Sequence, residues 1–140
     1  MTLRHTARAL ALLTLAIVSI NAAAARAGMP LPTLKAGLRA MPLELPAMVD
    51  EETRLDRVEG GVDEVLYFYT LVNYEYAMFA DPRALLDNIA PNIRENYCQS
   101  DDMAGFRENN IAMLHIYYDK DGELIGTIKT NLTHCAKDAD

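Results

Sequence analysis

An acidic turn at residues 119–123 has the spacing that comes nearest to a metal site. Asp119, Asp121 and Glu123 alternate along the chain, with Gly122 between the last two, and Ca²⁺ prefers closely spaced carboxylate oxygens around a sharp glycine bend. The twelve-position pattern of an EF-hand fails after the glycine, and the loop is too short. The segment therefore predicts a hairpin turn, and the sequence predicts no metal and no cofactor.

The histidines and carboxylates form no recognisable catalytic set. A nucleophilic triad needs a Ser, Thr or Cys held by an oriented His, whereas His115 lies inside a predicted strand and His134 lies next to Cys135. We interpret His115 as a satisfied or surface residue of its strand. Carboxylates are abundant near Asp50, but their number in an acidic chain does not identify two that would act as a glycosidase-type catalytic pair. We therefore expect that the chain is not an enzyme.

Tyrosines on two predicted strands are the most distinctive side chains. Tyr67 and Tyr69 lie on one strand, and Tyr117 and Tyr118 lie on another. Tyrosine is rigid and amphipathic, which suits protein interfaces. These four residues are our predicted binding surface. Core packing with the hydroxyl groups at the rim accounts for the same pattern and is the alternative.

The first 27 residues have the pattern of a secretory signal peptide. A basic start and an apolar run from Ala9 to Ile20 precede the motif Ala25-Arg26-Ala27, with cleavage expected before Gly28. The apolar run is shorter than the roughly 20 residues that a membrane span needs, and no second run follows. We expect residues 28–140 to form a single exported domain without a membrane span, located in the periplasm or secreted.

The predicted mature domain is strongly acidic. The leader holds three of the 13 Lys and Arg residues and none of the 20 Asp and Glu residues, which leaves a formal charge of −10. Nucleic acid is therefore not an expected partner, because phosphate binding needs clustered Lys and Arg. The charge favours a protein partner, such as a host protein or a cationic protein, although acidity by itself also keeps an exported protein soluble.

Both cysteines lie in the predicted mature domain. An even cysteine count in an oxidising compartment predicts one disulfide, between Cys98 and Cys135. Two cysteines without a close pair of histidines do not make a structural zinc site, and there is no Cys-x-x-Cys redox pair. Closing a loop of about 37 residues contributes roughly 3.5 to 4 kcal/mol in the chain-entropy estimate.

Apolar periodicity and turn residues predict six elements in the order helix, strand, strand, helix, strand, strand. The helices are residues 33–41 and a longer one opened by Asp81-Pro82, and the strands are residues 53–58, 65–72, 111–118 and 123–132. Pro91 is expected to kink or split the longer helix. The predicted fold class is α+β, a small antiparallel sheet of about four strands with helices packed on one face and one disulfide.

Five segments together resemble a known family. They are residues 45–56, residues 66–71, Cys98, residues 117–122 and Cys135. As a set they resemble the quorum-sensing-regulated virulence factor family of exported proteobacterial proteins, over nearly the whole mature domain. The resemblance implies a small exported α+β domain with a role in virulence or host contact and no established enzymatic activity. It supplies no catalytic residues.

The expected function is therefore a protein-binding or virulence-associated interaction module. A small periplasmic inhibitor, for example of a cationic lysozyme, is the alternative within the binding class. A hydrolase with carboxylate catalysis is the alternative from a different class.

Overall fold

The computed structural model describes residues 30–41 and 43–135. The predicted signal peptide and its cleavage site lie outside these residues. The elements in chain order are α1 (Leu31–Ala40), β1 (Ala47–Met48), β2 (Thr53–Gly61), β3 (Glu64–Leu71), α2 (Pro82–Gln99), α3 (Ala104–Glu108), β4 (Ala112–Tyr118), β5 (Leu124–Thr130) and α4 (Leu132–Cys135), with 3₁₀ turns at Tyr76–Met78 and Asp101–Met103.

The five strands form one sheet in the order β1-β2-β3-β4-β5. Neighbouring strands are antiparallel except β3 and β4, which run parallel. The fold class is α+β, as the sequence predicts. The parallel pair departs from a wholly antiparallel sheet because α2 carries the chain back to the starting end of β3, the crossover that parallel strands require. The two-residue strand β1 is too short for the sequence pattern to indicate.

Helix α2 begins where the sequence predicts and is longer than expected. The Asp81 side chain accepts a 2.9 Å hydrogen bond from the backbone N–H of Arg83, with Pro82 at the first helical position. Of the two outcomes expected at Pro91, a kink or a split, the split does not occur, since one helix spans Pro82–Gln99. Pro91 is exposed, so the carbonyl that it leaves unpaired can bind water. The buried residues of α2 before Pro91 pack in one hydrophobic cluster and the buried residue after it packs in another, and this packing keeps the helix continuous.

Two hydrophobic clusters share the helix-covered face of the sheet. The first joins Leu34 of α1 and Tyr97 of α2 to β2, β3 and β4, and the second joins Leu86 and Ala90 of α2 to β3, β4 and β5. On the opposite face, the guanidinium carbon of Arg57 lies 3.5 Å from the ring centroid of Phe68. Helices therefore cover one face, as predicted, and a charged side chain shields an aromatic ring on the other.

The predicted disulfide is confirmed. Cys98, in the last turn of α2, is bonded to Cys135 in α4, with the two Cα atoms 5.3 Å apart. Both cysteines pack against the first hydrophobic cluster. The bond therefore connects the central helix to the chain that leaves the last strand, and it holds the helix layer against the sheet.

Candidate functional site

Four stacked rings cross the centre of the sheet. The parallel register of β3 and β4 sets Tyr67 opposite His115 and Tyr69 opposite Tyr117. The ring centroids are 5.2 Å apart for Tyr67 and His115, 5.7 Å for Tyr69 and His115, and 5.0 Å for Tyr69 and Tyr117, with interplanar angles of 14° or less. We call these four residues the aromatic ladder.

The structure brings together three of the four predicted tyrosines. Tyr67, Tyr69 and Tyr117 lie on the helix-covered face, whereas Tyr118 points to the opposite face because successive strand residues alternate. A binding role for these residues stays a prediction. His115 joins the ladder instead of Tyr118, and the sequence analysis missed it. The period-two spacing from His115 to Tyr117 is the signal that could have placed both on one face.

Burial changes the titration of the ladder. It raises the pKa of Tyr67 to about 12 and, together with the charge of Asp50, that of Tyr117 to about 12. The pKa of Tyr69 rises above its usual range for the same reason, reinforced by the neighbouring tyrosines. Burial lowers the pKa of His115 to about 4. The ladder is therefore uncharged at neutral pH.

The interpretation of His115 as a satisfied residue is wrong, and its side chain is half-buried. Its Nδ1 atom is buried and has no hydrogen-bond partner among the residues that the structure describes. A buried polar atom without a partner costs free energy of folding. Such an atom is uncommon and needs a physical reason, which directs attention to the space next to the ladder.

A cavity of about 350 Å³, here called the ladder cavity, lies between the ladder and α2. The β1–β2 connection closes one side of it, and Asp50 lies there. Asp50 Oδ1 accepts hydrogen bonds of 2.8 Å from the Glu52 N–H and 2.7 Å from the Thr53 N–H, and these bonds lower the pKa of the carboxyl. The cavity is lined by Val49, Asp50, Thr53, Tyr69, Ile89, Asn92, Ile93, Asn96, His115 and Tyr117.

A second depression, here called the edge groove, runs beside β5 and has a volume of about 480 Å³. Residues 125–129 of β5 form one wall, and Leu86, Ala90 and Arg94 of α2 contribute to the other. Strand β5 is the last strand of the sheet, so no described strand pairs with its outer edge. The outward backbone groups of β5, which no described strand pairs with, therefore belong to residues that also line the groove.

The acidic turn serves the fold. Asp119 accepts hydrogen bonds of 2.8 Å from the Tyr76 N–H, 2.9 Å from the Asp121 N–H and 2.8 Å from the Glu123 N–H. These backbone bonds, led by that from Tyr76, lower the pKa of the carboxyl. The segment is the hairpin turn between β4 and β5, as predicted. In residues 30–41 and 43–135, no three His, Cys, Asp or Glu side chains converge in a way that could hold a metal ion.

No family model and no curated protein matches this chain. Two solved structures share its fold. One is a "putative secreted protein" from Pseudomonas aeruginosa, with a TM-score of 0.64 and 8% identity over 75% of this chain and 91% of the other. The second is a pilotin of the Vibrio vulnificus type 2 secretion system, with a TM-score of 0.51 and 16% identity over 75% of this chain and 84% of the other.

These similarities establish the fold. The disulfide and the secreted structural neighbour fit an extracytoplasmic location, and both neighbours are compatible with a small exported proteobacterial protein. Neither neighbour shows a link to quorum sensing. None of the described helices is long and apolar enough to cross a membrane.

Proposed function

We propose that this chain is an exported protein-binding module that holds an extended segment of a partner protein along the free edge of β5. The observation that carries the proposal is that the edge groove lies beside a strand edge that no strand of residues 30–41 and 43–135 pairs with. We propose a binding role and no catalytic activity.

An edge strand offers a row of backbone N–H and C=O groups to any chain that can lie beside it. A peptide that adds a strand gains main-chain hydrogen bonds, and pockets for its alternate side chains provide specificity. Strand β5 offers seven residues along its outer edge. The edge groove beside it can receive the side chains of an added strand.

The residues that line the edge groove indicate which residue types the partner segment contains. Arg83, Arg94 and Lys129 supply positive charge, Asp81 and Asp87 supply negative charge, and Leu86, Ala90 and Ile128 add apolar surface. A segment that alternates polar or charged residues with small apolar ones matches this lining. The neighbour that is a pilotin of a type 2 secretion system supports a protein partner. Inhibition of a cationic lysozyme and contact with a host protein are two specific forms that such binding could take.

Site-specific photocrosslinking tests the proposal. Benzoylphenylalanine is placed at Thr127, an exposed position of β5 beside the groove, and separately at Glu108, an exposed position at the end of α3. Irradiation of the cells that produce the protein should yield a discrete adduct with one partner protein from Thr127 and none from Glu108. Absence of an adduct at Thr127, or the same adducts from both positions, would overturn the proposal.

Amide hydrogen exchange tests the mode of binding once the adduct identifies the partner segment. Amides of β5 that face outward should become protected when a peptide of that segment is added, while those of β1 remain unchanged. Protection confined to α1 and α3 would show that the partner binds elsewhere and that strand addition is wrong.

A further inference from the structure

We infer that the ladder cavity binds a small organic cation, a protonated amine attached to a short apolar body. The cavity lies on the helix-covered face, apart from the lining of the edge groove. The inference therefore does not depend on the proposed function.

The charge of the cavity selects the class of ligand. Asp50 carries a carboxylate that backbone hydrogen bonds keep ionised. The lining contains no Lys or Arg, and its one histidine, His115, is neutral at neutral pH. An anion entering this space would meet an uncompensated negative charge, whereas a cation would gain a charge-assisted partner.

The remaining lining residues suit an ammonium group with an apolar body. The side-chain amides of Asn92 and Asn96 offer neutral oxygen acceptors for an ammonium group. The hydroxyl oxygen of Tyr117, which also lines the cavity, is a further acceptor. Ile89 and Ile93 form the apolar part of the wall. Polar groups of this kind fix a ligand's orientation while the apolar wall removes its body from water.

The size of the cavity limits the ligand. A volume of about 350 Å³ lies near the lower end of the range for small-molecule pockets, about 300 to 1,000 Å³. An alkylamine of a few carbons fits, and so does the end of a lysine side chain on another protein. Both present the same ammonium group to Asp50. They differ in that only the lysine residue carries peptide backbone groups.

Intrinsic tyrosine fluorescence provides a direct measurement, because the chain has seven tyrosines and no tryptophan. The folded mature protein is titrated at neutral pH with n-butylammonium, with 1-butanol as a neutral analogue of similar size, and with butyrate as an anion. Binding of n-butylammonium alone, or much more tightly than the other two, supports the inference. Equal binding of 1-butanol, preference for butyrate, or no binding of n-butylammonium overturns it.

Variants then locate the binding. Asp50→Asn should weaken n-butylammonium binding by about tenfold or more, because the charge-assisted contact is lost. Asp101→Asn removes the same charge from an aspartate that is exposed, like Asp50, but lies outside the cavity lining, and it should leave the affinity unchanged. Equal effects of the two variants would mean that the cation responds only to the overall charge of the protein, and the site assignment would be wrong.

Two further measurements complete the test: one does not require Asp50→Asn to fold, and the other distinguishes a free amine from a lysine side chain. Tyr117→Phe keeps the ring and removes one hydroxyl from the lining, so it should weaken binding even if Asp50→Asn does not fold, and unchanged affinity would count against the site. Nα-acetyl-lysine amide is the second probe. If both probes bind, the cavity accepts a lysine side chain of another protein. If n-butylammonium binds and Nα-acetyl-lysine amide does not, the ligand is a free amine.

Discussion

The hydroxyl group of Tyr97 donates a 2.8 Å hydrogen bond to the backbone carbonyl of Ile111, and both residues are almost completely buried. The bond joins the last turn of α2 to the residue that precedes β4. Arg107 reinforces this junction by donating hydrogen bonds of 2.6 Å to the carbonyl of Tyr97 and 2.7 Å to that of Ser100. The end of α2, the start of β4 and the disulfide at Cys98 therefore form one connected junction.

Removing the Tyr97 hydroxyl should weaken this junction. Tyr97→Phe keeps the ring but leaves the buried Ile111 carbonyl without its partner, which should lower the free energy of unfolding by about 1–3 kcal/mol. Urea denaturation measures the change. Tyr118→Phe is the control, because no described residue hydrogen-bonds the Tyr118 hydroxyl, and its cost should stay within about 0.5 kcal/mol. Equal costs for the two variants would contradict the assigned role.

The disulfide should account for a large part of the stability. Cys98→Ser or Cys135→Ser should cost roughly 2–5 kcal/mol and lower Tm by about 10 °C or more, because the unfolded chain is no longer constrained. The double variant should be no less stable than either single variant, since a lone thiol restores nothing. Calorimetry and a thiol assay under denaturing conditions provide the measurements. Two free thiols in the folded exported protein would contradict the prediction.

Stability should fall as the pH drops below the normal pKa of histidine. His115 has a pKa lowered from 6.5 to about 4, so between these values the unfolded chain takes up a proton that the folded protein does not. The loss should reach about 2 kcal/mol at about pH 5. His115→Phe keeps a ring in the ladder without titrating, so it should lack this loss. Parallel pH profiles of unfolding free energy for the two proteins would show that His115 does not titrate as described.

Two glycines should respond in opposite ways to the same substitution. Gly126 has φ +156°, and a Cβ there would lie 2.5 Å from Cδ1 of Leu86, so Gly126→Ala should destabilise the protein by about 1–3 kcal/mol. Gly37 lies within α1 with open space around its Cβ position, so Gly37→Ala should stabilise it by about 0.5–1 kcal/mol. Thermal unfolding measures both. Unchanged or increased stability of Gly126→Ala would contradict the assigned packing of α2 on β5.

Local sequence signals predicted several elements because their causes lie within a few residues. Asp81 accepts a hydrogen bond from the backbone N–H of Arg83, and Pro82 fixes the backbone φ angle at the first helical position. The start of α2 therefore needs no distant residue. Asp119 closes its turn through the amides of Asp121 and Glu123, only two and four positions away. The cysteine pair followed from their even number and the expected compartment, and the structure confirms the bond. In the first two cases the interacting residues are close together in the sequence. In the third, two cysteines allow only one pairing.

The candidate site depended on long-range register that no local pattern contains. The sequence placed Tyr67, Tyr69, Tyr117 and Tyr118 on strands, but only the parallel pairing of β3 with β4 brings His115 between Tyr67 and Tyr69. The uninterrupted course of α2 past Pro91 was decided in the same way, by packing at both ends of the helix. The sequence by itself determined six of the nine described helices and strands, the turn at Asp119 and the disulfide. Tertiary structure decided the pairing of strands, the burial of His115 and the cavity beside it, because these depend on free energies of packing between residues that are distant in the chain.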